Sequence, residues 1–243
     1  MSDITNMDPA KKVEPPREPP PCMKAIRALS PAHYGAIVTV EVGSEPAKHI
    51  FQVFKGLLAH YSTYFRAALQ DCWREGEENT VQLSDDNPEV FSAVFHWLFT
   101  QKFYYDLSAD GSIPLADQLI CEIYVFGDSR GMPGLCNDAM DLLFQKCMQV
   151  YLFPRSCIYY VWEHTLEDAA LRKFLIDFAV ENYAWPTTKL KNEYPAEFLL
   201  DVITASRERA GVPGSICPGK AQWTSKKKAE FCGKYHTHSS LGK

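Results

Sequence analysis

The chain has 243 residues, 46% hydrophobic and 13% aromatic, and a formal charge of −5 at neutral pH. That length admits one large domain or a compact domain with an extension, and that apolar content excludes wholesale disorder. The mildly acidic balance argues against a general nucleic-acid binder, and no apolar run reaches the roughly 20 residues that cross a bilayer.

The N-terminus shows no hydrophobic signal segment, so the eight cysteines are expected as reduced thiols in cytosol or nucleus. Cys22, Cys72, Cys121, Cys136, Cys147 and Cys157 are scattered, most of them in apolar periodic stretches, and read as small core side chains. Residues 1–33 form a first segment. Its opening part carries Pro9, Pro15, Pro16, Pro19, Pro20 and Pro21 among charged residues and is expected to be disordered, because it cannot bury enough apolar area to offset its ordering entropy. A short helical lead-in over Ala25–Tyr34 is cut by Ser30-Pro31.

Val38, Val40 and Val42 alternate with Thr39 and Glu41, and a turn with Gly43, Ser44 and Pro46 returns the chain into Ile50–Phe54, which predicts a hairpin. From Leu57 the period becomes helical through Leu58, Tyr61, Phe65 and Ala68, with Ser62 placed to cap a second helical turn. A short strand is expected at Val81-Gln-Leu83. Asp85-Asp86 reads as turn chemistry, and Asn87-Pro88 opens a helix with Phe91, Val94, Phe95 and Leu98 on one stripe and Trp97 beside it. Phe103–Tyr105 is expected to return as a strand.

This ordered set, from Phe51-Gln-Val-Phe-Lys-Gly-Leu-Leu through Tyr61-Ser-Thr-Tyr-Phe65, Trp73-Arg-Glu75 and Phe95-His-Trp-Leu-Phe-Thr100, resembles the BTB/POZ domain, its fungal branch in particular. The resemblance implies an α+β fold, a small sheet capped by helices, over residues 34–148. It implies a protein–protein interaction module. Three positions depart from the family pattern. Phe54 stands where a histidine is usual, Gly35-Ala36-Ile37 lacks the acidic residue expected before the first strand, and Thr100-Gln-Lys-Phe103 lacks the glutamate of a cullin-recruiting turn.

Helices are expected over Leu119–Arg130, ending at Gly131, and over Leu135–Cys147. Residues 149–210 read as a helical extension: Ser156–His164, then a helix opened by a capping-box-like Thr165-Leu-Glu-Asp168 and ending before Trp185-Pro186, then one after Tyr194-Pro195 with Phe198, Leu199, Val202 and Ile203 inward. Residues 211–243 are a basic tail with six lysines against Glu230.

Two sets of site residues follow. Cys217, Cys232, His236 and His238 offer the thiolate and imidazole that zinc prefers, and four such ligands would close a structural tetrahedral site; the alternative is a tail with incidental histidines and no cofactor. Trp97 and Phe103 are placed as partner-binding positions on an interface. No serine elbow, phosphate loop or nucleophile–base pair points to catalysis. The expected function is a non-catalytic scaffold for protein partners, with homodimerisation open. The alternatives are a substrate adaptor of a cullin-type ubiquitin ligase and a nuclear regulator touching nucleic acid through the basic C-terminal tail, which includes Lys226-Lys227-Lys228.

Overall fold

A computed structural model describes Cys22 and residues 29–70, 79–182, 194–209 and 219–238. The proline-rich opening stretch, the first four residues of the lead-in over Ala25–Tyr34, Cys72, Trp73-Arg-Glu75, Trp185-Pro186 and Cys217 lie outside the described residues.

Strands β1 (Ile37–Val42) and β2 (His49–Phe54) pair antiparallel with Val38 opposite Val53 and Val40 opposite Phe51. Strand β3 (Thr80–Leu83) joins β1 in parallel, giving the order β2-β1-β3. Alternation puts Val38, Val40, Val42 and Val53 on the covered face, each at most 1% exposed. Thr39 and Glu41 on the other face are only partly covered.

Helices α1 (Lys55–Tyr61) and α2 (Thr63–Ala68) meet at Ser62. The Ser62 hydroxyl accepts from the Phe65 amide at 3.0 Å, the expected N-cap, and donates to the Arg130 carbonyl at 2.7 Å. One buried hydroxyl thus starts a helix and fastens it to the end of another. Helix α3 (Pro88–Thr100) begins at Asn87, whose side chain accepts from the Glu89 amide at 2.9 Å. Phe91, Val94 and Leu98 are buried as their spacing predicts, and Phe95 is half-buried.

Phe103–Tyr105 does not form the expected strand. Gln101 ends α3 in the left-handed region at φ 56°, and the Lys102 amide is satisfied locally by Thr100 Oγ1 at 3.1 Å. The aromatics that follow fold back onto α3, with Tyr105 4.1 Å from His96 between ring centres.

Helices α4 (Asp117–Ser129) and α5 (Pro133–Val150) flank Gly131, whose φ of +58° and lack of a side chain are both required, since a Cβ there would sit 2.0 Å from Thr63 Oγ1. The boundary drawn at 148 falls inside α5. A 3-10 turn at Arg155–Cys157 leads into α6 (Ile158–His164), followed by α7 (Ala170–Asn182), α8 (Ala196–Glu208) and α9 (Lys220–Tyr235).

The capping box expected at Thr165 is absent: its hydroxyl donates back to the Val161 carbonyl at 2.6 Å and accepts from Arg172 Nε at 2.9 Å. Arg172 closes the end of α6 by donating to the Trp162 and Thr165 carbonyls, both at 2.6 Å. Along α8, Phe198 and Val202 face inward, but Ile203 is 53% exposed.

The expected tail is instead a core element. Trp223, Phe231 and Tyr235 on α9 are at most 1% exposed. Phe231 lies 4.9 Å from Phe144, Trp223 lies 5.1 Å from Phe178, and Tyr235 lies 5.5 Å from Phe174 between ring centres. Each buried ring contributes about 2–3 kcal/mol of transfer energy. The buried apolar residues from β1 through α9 form one continuous cluster.

Candidate functional site

The two partner-binding positions separate in space. Trp97 is 1% exposed, packed edge-on to Tyr61 with ring centres 5.0 Å apart, and its indole N–H donates to Asp138 Oδ2 at 2.7 Å. It faces α5, so it serves the interior and not an interface. Burial pushes the Asp138 carboxyl up to about 6, against the lowering effect of the Trp97 hydrogen bond.

Phe103 is partly covered and lines two adjoining clefts. The first, of about 490 Å³, lies against α3 and is walled by Phe95, His96, Phe99 and Tyr105. The second, of about 370 Å³, has Gln101, Tyr105, Asp138 and Gln145 around it. Tyr105 is 84% exposed, with Phe99 and Leu107 at 40% and 39%.

An aromatic series leads to this face. Ring centres are 5.0 Å apart for Tyr34–Phe54, 6.3 Å for Phe54–Phe99, 5.1 Å for Phe95–Phe99 and 5.5 Å for Phe51–Phe95. Phe54, where the resemblance places a histidine, is therefore a packing member of this series. A ring there trades a titratable group for apolar contact.

The expected basic face at Lys226–Lys228 is not presented as such. Lys227 has a side chain 1% exposed, with its ammonium 2.7 Å from Glu230, 3.1 Å from Glu181 and 3.6 Å from Asp177. Lys234 and Arg209 also pair with Asp177, and Lys226 approaches Glu181 at 3.9 Å. A lysine run on a helix alternates faces every residue or two, so its middle member turns inward here to meet the acids of α7.

Of the proposed zinc ligands, Cys232, His236 and His238 come together and Cys217 lies outside the described residues. A different cysteine joins them, Cys22, which the sequence reading placed among the core thiols. Its Sγ is 3.7 Å from Cys232 Sγ and 3.8 Å from His238 Nε2, while Cys232 Sγ is 3.2 Å from His238 Nε2. The last turn of α9 supplies Cys232, and the chain then leaves the helix in extended form at His236. Asn137 on α5 clamps that extended strand, accepting from the Thr237 amide at 2.8 Å and donating to its carbonyl at 3.1 Å. His236 Nε2 lies 3.0 Å from Asp141 Oδ1. Burial pushes the Asp141 carboxyl up, and the hydrogen bond from His236 opposes that. Nothing local in the sequence marks Cys22, since its partners follow 210 or more positions later. By contrast Cys121, Cys136, Cys147 and Cys157 are all buried core side chains.

Asp86, of the acidic pair before α3, is bound to Arg130; burial raises its carboxyl despite that partner. No described helix is long and apolar enough to cross a membrane.

No curated protein matches the chain. Residues 37–122 match the family model of the BTB/POZ domain. The matched span takes in the three described strands, α1 to α3 and the start of α4, and it contains the stretch on which the resemblance rested. BTB/POZ domains are protein-interaction modules, and residues 37–122 of this chain, a three-stranded sheet capped by helices, are a BTB/POZ domain.

Proposed function

We propose that the chain is a non-catalytic scaffold that binds a protein partner through the aromatic face formed by Phe99, Phe103 and Tyr105. The observation that carries this reading is Tyr105, a large ring 84% exposed at the mouth of an aromatic-walled cleft. Tyrosine and phenylalanine on a rigid element supply contact area at low entropic cost, and interface hot spots favour such anchors. The face is backed by α3, so it is held in place before any partner arrives.

Among the described residues no feature favours the ubiquitin-ligase adaptor, because Gln101 and Lys102 occupy the turn where a glutamate would be sought. The nucleic-acid reading loses its basic face, since Lys227 is neutralised by three carboxylates. The test is affinity capture from native cells with the wild-type chain and with Tyr105→Ala, followed by light scattering of the purified protein across concentration. Capture lost in the variant supports the reading, and capture indifferent to Tyr105 and Phe103 overturns it. Light scattering distinguishes a second copy of this chain from a different protein as the occupant.

A further inference from the structure

The His236 side chain is 1% exposed, yet its Nδ1 has no hydrogen-bond partner among the described residues. Its Nε2 faces Asp141 Oδ1 at 3.0 Å. A carboxylate can only accept, so Nε2 carries the hydrogen and Nδ1 keeps a lone pair. A buried lone pair without a donor costs about 1–3 kcal/mol. Something other than a protein hydrogen bond is the natural occupant of that direction.

The neighbours say what. The ligand atoms of Cys22, Cys232, His236 and His238 all lie within 4.8 Å of one another. Zinc bonds of about 2.3 Å to sulfur and about 2.0–2.1 Å to nitrogen define a tetrahedron with edges of roughly 3.3–3.8 Å. The Cys22–Cys232 edge of 3.7 Å and the two sulfur–nitrogen edges of 3.2 and 3.8 Å match it. The sulfur–sulfur separation is far beyond the ~2.05 Å of a disulfide.

Cys-x3-His-x-His also ceases to be an awkward spacing. Neighbours two apart on an extended chain project to the same side, and the Asn137 clamp on Thr237 fixes that extension. His236 then offers its near nitrogen and His238 its far one, so two rings whose centres are 5.8 Å apart can reach one point.

We infer that Cys22, Cys232, His236 and His238 bind one zinc ion as a closed structural site, with His236 ligating through Nδ1 and Asp141 orienting it. Two thiolates and two imidazoles suit a borderline-soft tetrahedral ion and not a hard cation such as magnesium or calcium. Four protein donors leave no open position, so the site holds structure and does no chemistry. It joins Cys22 to α9 across 210 positions, where a clip removes the loop-closure entropy of almost the whole chain. A carboxylate behind a ligating imidazole is a common second support for zinc.

The test is the metal content of the untagged 243-residue chain, purified without added metal or chelator. One zinc per chain is expected, and cobalt(II) replacing it should give the visible absorption of tetrahedral thiolate ligation. Cys22→Ser and His236→Ala should each lose the ion, Asp141→Asn should weaken binding by about 10–100-fold, and Cys217→Ser should keep it. Metal-free wild-type protein overturns the inference without reference to any variant. So does a Cys22–Cys232 disulfide in place of the metal, zinc retained by Cys22→Ser, or zinc lost by Cys217→Ser.

Discussion

The Lys227 ammonium on α9 lies 3.1 Å from a Glu181 carboxylate oxygen on α7, with only 1% of the lysine side chain exposed. Desolvation alone would push this amine down, but Asp177, Glu230 and Glu181 raise it above its ordinary value. The lysine is therefore a structural cation that lets α9 dock on a surface bearing two acids. Lys227→Ala should destabilise the protein by about 3–5 kcal/mol in urea melts, because it leaves buried carboxylates uncompensated. Lys226→Ala, with 62% of the side chain exposed, should change stability by no more than about 0.5 kcal/mol.

The same cluster sets an acid limit. Burial raises the Asp177 carboxyl, but Lys227, Lys234, Tyr235 and Arg209 more than reverse it and hold it below the ordinary 3.8. A folded value below the unfolded one means that its contribution is complete above the unfolded pKa. It is lost as pH falls through the folded value. The stability difference between wild type and Asp177→Asn should thus be constant above about pH 5 and shrink steadily below about pH 4, as read by denaturant melts at each pH. A difference that grows on acidification would contradict this.

Trp97 makes an interior hydrogen bond, so its removal should act on folding and not on binding. Trp97→Phe retains most of the ring but leaves Asp138 Oδ2 without its donor, and should cost about 1–3 kcal/mol. Partner capture by the folded variant should equal that of wild type.

The exposed face should behave in the opposite way. Tyr105→Ala should leave stability within about 0.5 kcal/mol and weaken partner binding by about 2 kcal/mol, roughly 30-fold. Leu166→Ala, at a residue 76% exposed before α7, is the control and should leave binding unchanged.

Gly56 is tightly enclosed at the start of α1. Its amide donates to the Tyr34 carbonyl at 2.8 Å, and a Cβ at this position would lie 2.1 Å from the His33 carbonyl oxygen. Because that obstacle is backbone, no rotamer relieves it. Gly56→Ala should cost about 1–3 kcal/mol and show first as loosened contact between residues 33–34 and α1. Hydrogen exchange at the Gly56 and Lys55 amides reports this directly.

Local sequence by itself determined the hairpin of β1 and β2, the Ser62 cap, the start of α3 at Asn87-Pro88, the buried stripe of α3 and the break at Gly131. Each of these depends on residues within a few positions of one another, where the spacing of side chains along a strand or helix is the whole argument. Tertiary structure decided which way Trp97 points, why Phe103–Tyr105 folds back and does not pair, and that a lysine-rich segment becomes a helix with one face in the core. It also brought Cys22 into the group with Cys232, His236 and His238. A charge run reads as solvated until its counter-charges are in place. The acids of α7 that cover Lys227 and the N-terminal thiol that meets Cys232 are brought there only by the packing of elements distant in the chain.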